Sequence, residues 1–262
     1  MRAKKSLGQN FLTSKAVLSD IIKASKLSKG DTVLEIGPGK GFLTSELLQC
    51  STRVVAVEKD DRLIELLSEK FKKEIDSKKL ILMHEDIIDF NPQKYGLKNS
   101  NYKLIANIPY YLTGQIFRLF LQSDTQPSKI IFMVQKEVAD RITAKDNKES
   151  ILSISIKAYG EPHYIKKVHA RYFSPKPKVD SAVVLIDNIS KKIFKNGKEE
   201  QEFFSLIKLG FSHKRKTLAN NLSEVYEKQQ ITEAFGHCNI SPKERGEKLT
   251  VQNWMCLLNA LN

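Results

Sequence analysis

The tetrapeptide Asn107-Ile108-Pro109-Tyr110 is the stretch of this sequence best suited to chemistry. It follows an apolar run, residues 102–106, that predicts a buried strand. Pro109 restricts the backbone and so fixes a turn. The Asn107 amide oxygen and the Ile108 carbonyl could then accept hydrogen bonds from one amino group. The Tyr110 ring would stack on the heterocycle that carries this group.

This arrangement suits transfer of a methyl group to the exocyclic amine of adenine. The lone pair of that nitrogen is delocalised into the ring, so two acceptors would draw the nitrogen towards tetrahedral geometry and release the pair. No general base is then essential, because the amine becomes acidic once it has attacked a positively charged sulfonium. The base must leave its stack, and Phe173, beside two prolines, could supply a second stacking face. Taken alone, the tetrapeptide also fits an ordinary turn after a strand.

A glycine-rich turn lies upstream and reads E-x-G-x-G-x-G from Glu35 to Gly41. An apolar run precedes it and an amphipathic segment follows, which predicts strand, tight turn and helix. Glycine allows positive φ and close approach of a ligand to bare amides at the helix N-terminus. Gly37, Gly39 and Gly41 are therefore candidate cofactor contacts. The dinucleotide fingerprint would need glycine at Phe42, and no phosphate loop matches. A purely structural turn is the alternative.

Acidic residues follow the next two predicted strands. Glu58 ends the run 53–58 and lies 17 residues beyond Gly41, where a doubly wound fold places the acid that binds ribose hydroxyls. Asp86 follows the run 80–83 and could accept from an adenine amino group. Four successive strands thus end in polar residues, at the edge where open parallel sheets bind ligands. A surface glutamate at a strand end is the alternative for Glu58.

The alternation of strands and helices predicts an α/β sheet with helices on both faces. A fifth strand is expected at 129–134 and two closing strands at 164–168 and 182–186. From Ile151 the periodicity would allow a strand, but the length and the terminating Gly160 favour a helix. A lysine-rich composition shift at 190–200 marks a boundary. Short helical patterns follow it, at 203–209, 217–222, from a capped start at Ser241-Pro242, and at 250–261. We expect a catalytic domain over residues 1–189 and a small all-α domain over 190–262.

The charge balance favours an extended anionic partner. The 262 residues contain 43 Lys plus Arg against 30 Asp plus Glu, a formal net charge of +13 with a pI of about 9.5. Such an excess favours nucleic acid over a membrane surface. Two basic clusters are candidate RNA contacts, one with Arg2, Lys4 and Lys5 and the other with Lys214, Arg215 and Lys216. A solvated charged face is the alternative for each cluster.

Other classes of protein are disfavoured. Cys50, Cys238 and Cys256 lie far apart without C-x-x-C, which suggests neither a zinc site nor a disulfide framework. The five histidines show no ligand spacing, so no metal is expected. The basic start lacks the apolar region of a signal peptide, and nowhere do about 18 apolar residues run together. We expect a soluble, cytoplasmic monomer that does not bind membranes.

Together these residues resemble the ribosomal RNA adenine dimethyltransferases, most closely the bacterial small-subunit branch. The resemblance covers nearly the whole chain. It implies a Rossmann-like methyltransferase sheet, S-adenosylmethionine as cofactor, and rRNA of the small subunit or its precursor as partner. It also implies formation of N6,N6-dimethyladenosine at two adjacent adenines near the 3′ end of 16S rRNA during ribosome biogenesis. The motifs that carry it are Gly8 to Leu12, Glu35 to Gly41, Glu58, Asp86, Asn107 to Tyr110, Phe173 to Ser181, and Arg245 to Leu249.

The resemblance implies cofactor contacts from Asn10, Leu12, Gly37, Glu58, Asp86 and Asn107. The chain departs from the family pattern at Tyr111, where asparagine is frequent, and at Thr113-Gly114, which replaces a Ser/Thr pair.

Three other functions fit the sequence less well. Pro38 favours the small-subunit branch over relatives that methylate large-subunit rRNA and confer antibiotic resistance. A non-catalytic RNA-binding assembly factor is disfavoured by the unbroken Asn107 to Tyr110. A nicotinamide dehydrogenase is disfavoured by Phe42 and by the lack of an obvious proton-transfer residue.

Overall fold

The computed structural model describes Lys4 and residues 7–262. These residues form two compact units. One contains the described residues up to 139 together with 161–189, and the other contains 140–160 and 190–262. The boundary expected from sequence, after residue 189, therefore coincides with one division of the chain. Residues 140–160, which the sequence analysis assigned to the first domain, belong to the second unit instead.

The first unit is built on a seven-stranded sheet with the order β4-β3-β2-β5-β6-β9-β7. The five strands from β4 to β6 are parallel, and β9 is antiparallel to both of its neighbours. A separate two-stranded antiparallel sheet pairs β1 with β8. The strands are β1 (Phe11–Leu12), β2 (Thr32–Ile36), β3 (Arg53–Glu58), β4 (Leu80–His84), β5 (Tyr102–Asn107), β6 (Lys129–Gln135), β7 (Glu161–Val168), β8 (Phe173–Ser174) and β9 (Ser181–Asp187).

Helices flank this sheet and make up the regular structure of the second unit. Side chains cap many of them, as Ser14 and Asp60 do by accepting from the backbone N–H of Val17 and Arg62. Among the described residues, no helix is both long and apolar enough to cross a membrane. The helices are α1 (Lys15–Ser25), α2 (Phe42–Cys50), α3 (Asp61–Lys70), α4 (Lys72–Asp76), α5 (Thr113–Leu121), α6 (Lys136–Ile142), α7 (Ile151–Lys157), α8 (Gly197–Gly210), α9 (Leu218–Leu222), α10 (Lys228–His237) and α11 (Val251–Leu261).

The central strands are apolar because both faces of the sheet are covered. Val33, Leu34, Val55, Leu104 and Ile105 are all fully buried, as expected for parallel strands packed on both faces. The expected α/β architecture with its five parallel strands is thus confirmed.

The strand order places the polar strand ends together. The chain passes outward from β2 to β3 and β4, then returns to place β5 on the other side of β2. Register aligns Ile36 with Val57 and with Ala106, and Glu58 with His84. The carboxyl ends of β2, β3, β4 and β5 therefore share one edge, with the reversal of strand order between β2 and β5. Open α/β sheets bind ligands at such a point.

The helices and strands after β6 agree only in part with those predicted from the sequence. The helix expected from Ile151 is α7, and the two closing strands are β7 and β9. The helix expected from Ser241-Pro242 is wrong. Ser241 starts only a turn, in which the N–H of Glu244 bonds its carbonyl, and the Glu244 carbonyl then accepts from the N–H of Leu218. That bond to another segment carries the chain away from a helical path. Helix α10 was missed.

The second unit also contains a disulfide that the sequence analysis did not expect. It joins Cys238, at the end of α10, to Cys256 in α11, with the Cα atoms 5.8 Å apart. The two residues are 18 positions apart in sequence, and packing of α10 against α11 brings them together. Spacing alone could not show this, because it depends on the tertiary contact between the helices. Cys50 is free.

Candidate active site

Two pockets open at the carboxyl edge of the parallel strands, and the glycine turn lines both. We call them the Asp86 pocket and the Glu35 pocket. The first is lined by residues of the N-terminal arm, the ends of β2, β3 and β5, and the segments 85–87 and 107–112. The second is lined by the start of α2, by Leu12 and Ser174 of β1 and β8, and by Glu35 and Lys70. Phe11, Gly37, Gly39 and Asn107 line both pockets.

The three glycines of the turn do different things, although all have positive φ. A Cβ on Gly37 would meet nothing within 4 Å, and one on Gly39 would lie 3.0 Å from the Phe11 ring. Gly37 thus presents bare backbone to the pockets, and Gly39 leaves room for the Phe11 ring. Gly41 lines neither pocket. It precedes α2, and a Cβ there would lie 2.5 Å from Phe71, so Gly41 permits close helix packing. The structure does not support its expected contact with the cofactor.

Glu58 is buried at the end of β3, with 7% of its surface exposed. One carboxylate oxygen accepts the N–H groups of Lys59 and Asp60, each at 2.9 Å, and the other accepts the N–H of Gly39 at 3.3 Å. Burial raises the pKa of Glu58, and these hydrogen bonds partly offset the effect. The oxygen that accepts from Gly39 has room for a further donor, so the carboxylate is fixed and still able to bind a hydroxyl.

Asp86 lines the same pocket and is ion-paired with Lys59 at 2.5 Å. Its other oxygen accepts from the N–H of Ile88 at 3.1 Å. Partial burial raises the pKa of Asp86, but the hydrogen bonds from Lys59 and Ile88 outweigh it and hold the pKa below its ordinary value. The carboxylate is therefore charged, and it presents acceptors to the pocket beside a lysine that sequence reasoning did not single out.

Asn107 and the arm residue Asn10 are joined directly. The Asn107 amide nitrogen donates to the carbonyl of Asn10 at 2.9 Å, which leaves the amide oxygen as an acceptor. Asn10 in turn donates to the Gly8 carbonyl at 3.1 Å. The turn after Asn107 is closed by the N–H of Leu112, which donates to the carbonyl of Pro109 at 3.0 Å.

Tyr110 lines the Asp86 pocket and is tied to strand β9. Its hydroxyl and that of Ser181 lie 2.7 Å apart in a hydrogen bond, and Ser181 is fully buried. Burial raises the pKa of Tyr110, and the bond with Ser181 offsets this only in part. The phenol is thus neutral near pH 7, and its ring orientation is set by a residue that sequence reasoning quoted only as part of a motif.

Phe173 does not have the expected stacking position. Its ring is only 4% exposed and belongs to the hydrophobic core, and it lines neither pocket. The reason is the pairing of β1 with β8, which sets Phe173 opposite Leu12. Phe173 therefore anchors the arm in this structure. Leu12 lines the Glu35 pocket as well as contributing to that small sheet.

The basic clusters are only partly described. Arg2 and Lys5 lie outside the described residues. Lys4 is ion-paired with the buried carboxylate of Asp60 at 3.2 Å, so it helps to hold the arm. Lys214, Arg215 and Lys216 are exposed. Lys216 pairs with Glu224 at 3.8 Å, whereas no ion pair is seen for Lys214 or Arg215 within the described part of the chain.

Glu35, which the sequence analysis names only as the start of the glycine motif, is a further candidate site residue. It is 1% exposed within β2, yet it lines the Glu35 pocket with Lys70. Its Oε2 atom has no hydrogen-bond partner. Burial raises the pKa of Glu35 from an ordinary 4.5 to about 8. The available signal was an acid in the middle of an otherwise apolar strand.

No cluster of metal-binding side chains is found across Lys4 and 7–262.

Comparison with known proteins agrees with this geometry. The family model described as ribosomal RNA adenine dimethylase matches residues 1–262. A ribosomal RNA small subunit methyltransferase A from Dehalococcoides mccartyi is 41% identical, over 100% of this chain and 90% of its own. A protein of the same name from Clostridium botulinum is 40% identical, over 95% and 90%.

Two solved structures share the fold over nearly the whole chain. The 23S rRNA methyltransferase ErmE has a TM-score of 0.78 at 25% identity, and covers 96% of this chain and 99% of its own. A dimethyladenosine transferase from Plasmodium falciparum has a TM-score of 0.81 at 24% identity, over 94% and 95%. The family model over residues 1–262 and the relatives at about 40% identity show that the chain belongs to the ribosomal RNA adenine dimethylase family, in agreement with the glycine turn, the acids at the ends of β3 and β4 and the Asn107 turn at one sheet edge.

Proposed function

We propose that this protein transfers methyl groups from S-adenosylmethionine to N6 of two adjacent adenines near the 3′ end of 16S rRNA. The observation that carries the proposal is the meeting of the Asn107 turn with the glycine turn, Glu58 and Asp86 in adjoining pockets. The relatives that are about 40% identical are named small-subunit methyltransferases. The cytoplasm, where ribosomes are assembled, is the proposed location, and the proposed form is a monomer.

The residues present fit this cofactor. Gly37 offers a bare backbone where a Cβ would project into open space. Glu35, whose Oε2 has no hydrogen-bond partner, would suit the ammonium group at the methionine end, because a positive charge beside the buried acid would favour its ionised form. Glu58 and Asp86 suit the ribose hydroxyls and the adenine amino group. When bound, the cofactor supplies a methyl group on a positively charged sulfur.

The acceptor adenine would be held by the Asn107 turn. The amide oxygen of Asn107 and the carbonyl of Ile108 would accept the two hydrogens of the amine, and Tyr110 would stack on the ring at a gain of about 1–3 kcal/mol. Since Asn107 donates its amide nitrogen to Asn10, its oxygen is preoriented for this task. Preorganised acceptors of this kind lower a barrier without reorganisation during the reaction.

The rival within the enzyme class is a large-subunit rRNA methylase, a name carried by the ErmE structure at 25% identity. Purified protein should transfer tritiated methyl groups to isolated small subunits that lack dimethyladenosine, and should leave large subunits unlabelled. Mass spectrometry of the labelled RNA should locate two dimethylated, adjacent adenines. Label on the large subunit alone would overturn the proposal.

The rival from another class is a non-catalytic RNA-binding assembly factor. We expect Asn107→Ala to lower the methyl-transfer rate by at least about 100-fold, since it removes an acceptor used in the transition state, and to spare RNA binding. Asn101→Ala is the matched control, at the exposed start of the same strand region, and should keep the wild-type rate. Equal turnover by Asn107→Ala and wild type would refute the assigned role.

Lys214 and Arg215 are proposed RNA phosphate contacts. Changing both to alanine should weaken RNA binding at low salt and reduce the slope of log K against log salt by about 2, because each phosphate contact releases counterions. Lys228→Ala together with Lys243→Ala is the control, since these exposed lysines belong to the same unit. Filter binding over a salt series measures the slope. Equal slopes for both double variants would count against this contact.

Glu35 should make stability depend on pH. Its pKa of about 8 in the folded chain exceeds the ordinary 4.5, so the folded state keeps a proton that the unfolded state releases between these values. The contribution of Glu35 to the free energy of unfolding is therefore fully present below about pH 4.5 and is lost as the pH rises towards 8. Glu35→Gln stays neutral, so its Tm should rise relative to wild type between pH 5 and 8, by about 2–4 °C for each kcal/mol.

The exposed Glu65→Gln on α3 is the control and should follow the wild-type profile. A difference in Tm between Glu35→Gln and wild type that is the same at pH 5 and at pH 8 would mean that Glu35 is already ionised in the folded protein.

A further inference from the structure

Tyr111 lines the Asp86 pocket, and the proposed function gives it no role. Even so, 65% of the residue is exposed. A large aromatic side chain held open at a pocket wall gains by being covered, because burial of its apolar surface is favourable. The residue is also a point at which the chain departs from the family pattern, as noted above.

The backbone holds Tyr111 firmly in place. It lies in a short 3-10 turn, Tyr110–Leu112, closed by the bond from the N–H of Leu112 to the Pro109 carbonyl. The Thr113 hydroxyl donates to the carbonyl of Tyr110 at 2.9 Å. The ring lies against the arm at Gly8, where a Cβ would be 3.3 Å from Tyr111 Cε1.

The two neighbouring tyrosines face different sides of β5. Tyr110 bonds Ser181 in β9, on the β6 side of the sheet. Tyr111 lies by Gly8 and close to Lys59, which follows β3 and pairs with Asp86. The order β4-β3-β2-β5-β6-β9 puts these partners on opposite sides of β5. Tyr111 is therefore on the side of Glu58 and Asp86, and it does not line the Glu35 pocket.

We propose that Tyr111 is a binding residue for the nucleoside half of the methyl donor, covering its adenosine with the aromatic ring. The inference rests on the proposed function, because it takes Glu58 and Asp86 as the acceptors for ribose and adenine. Tyr110 then stacks on the acceptor base, and Tyr111 covers the adenosine of the methyl donor. Stacking of an adenine on an aromatic ring makes binding tighter by about 5- to 100-fold.

The test measures binding without RNA, by calorimetry on the full chain. The ligands are S-adenosylhomocysteine, the product form of the donor, and 5′-methylthioadenosine, which lacks the amino-acid end. Tyr111→Ala should weaken both ligands about 5- to 100-fold and by similar factors. Tyr111→Phe keeps the ring and should stay within about twofold of wild type. Tyr226→Ala, a half-exposed tyrosine of the other unit, should change neither affinity.

Other outcomes separate this inference from its rivals. Unchanged affinity for both ligands with a raised KM for RNA would assign Tyr111 to the target base, and would overturn the proposal. Weaker binding of S-adenosylhomocysteine alone would also overturn the proposal, because it would place the ring at the methionine end. Tyr111→Asn provides a second variant should Tyr111→Ala have a lowered Tm. Failure of the wild-type chain to bind either ligand would overturn the proposed function itself.

Discussion

The carboxylate of Glu58 is the interaction on which the site depends. Its two oxygens accept three backbone N–H groups, one from the glycine turn after β2 and two from the chain that leaves β3. A buried carboxylate is costly unless donors surround it, so this group holds both segments at fixed positions. If the turn moved away from the end of β3, the carboxylate oxygen that accepts from Gly39 would lose its donor. The glycine turn, which lines both pockets, is held in place by this constraint.

A second buried carboxylate, two residues further on, extends the constraint to the N-terminal arm. Asp60 is 1% exposed and accepts from Arg62 at 2.7 Å, from Gln9 at 2.9 Å and from Lys4 at 3.2 Å. Arg62 above all, with Gln9 and Lys4, holds the pKa of Asp60 well below its ordinary value. Removing a partner from a buried charge is expensive, so the arm is fixed where Gly8 and Asn10 line the Asp86 pocket.

Much of this edge could be predicted from sequence, because it is encoded locally. Each of the strands β3, β4 and β5 is an apolar run with a polar residue at its end or just after it, and parallel strands present their ends at one edge of the sheet. Glu58, Asp86 and Asn107 were predicted in this way to lie at one edge, and all three line the Asp86 pocket. What failed depended on contacts between distant segments. Phe173 is buried because β8 pairs with β1, and Gly41 leaves room for the ring of Phe71, the residue that follows α3.

The second unit was less predictable for the same reason. Its first segment, 140–160, is separated from the remainder by β7, β8 and β9, so no single boundary in sequence can describe it. Glu227, at the N-cap position of α10, makes no side-chain capping bond, which removes the signal that marks a helix start. The disulfide between α10 and α11 likewise follows from packing.

The chemistry proposed for the site uses acceptors and shape in place of a strong base. Tyr110 is kept protonated by burial, Asn107 has no charge, and the nearby carboxylates of Glu58 and Asp86 already accept protein donors. None of these groups needs to take a proton before the amine attacks, because the attacking nitrogen becomes acidic as its bond to carbon forms. Catalysis would then rest on how well two oxygens are fixed. The hydrogen bond from the Asn107 amide nitrogen to the Asn10 carbonyl therefore contributes to catalysis, because it fixes the amide oxygen that would accept from the amine.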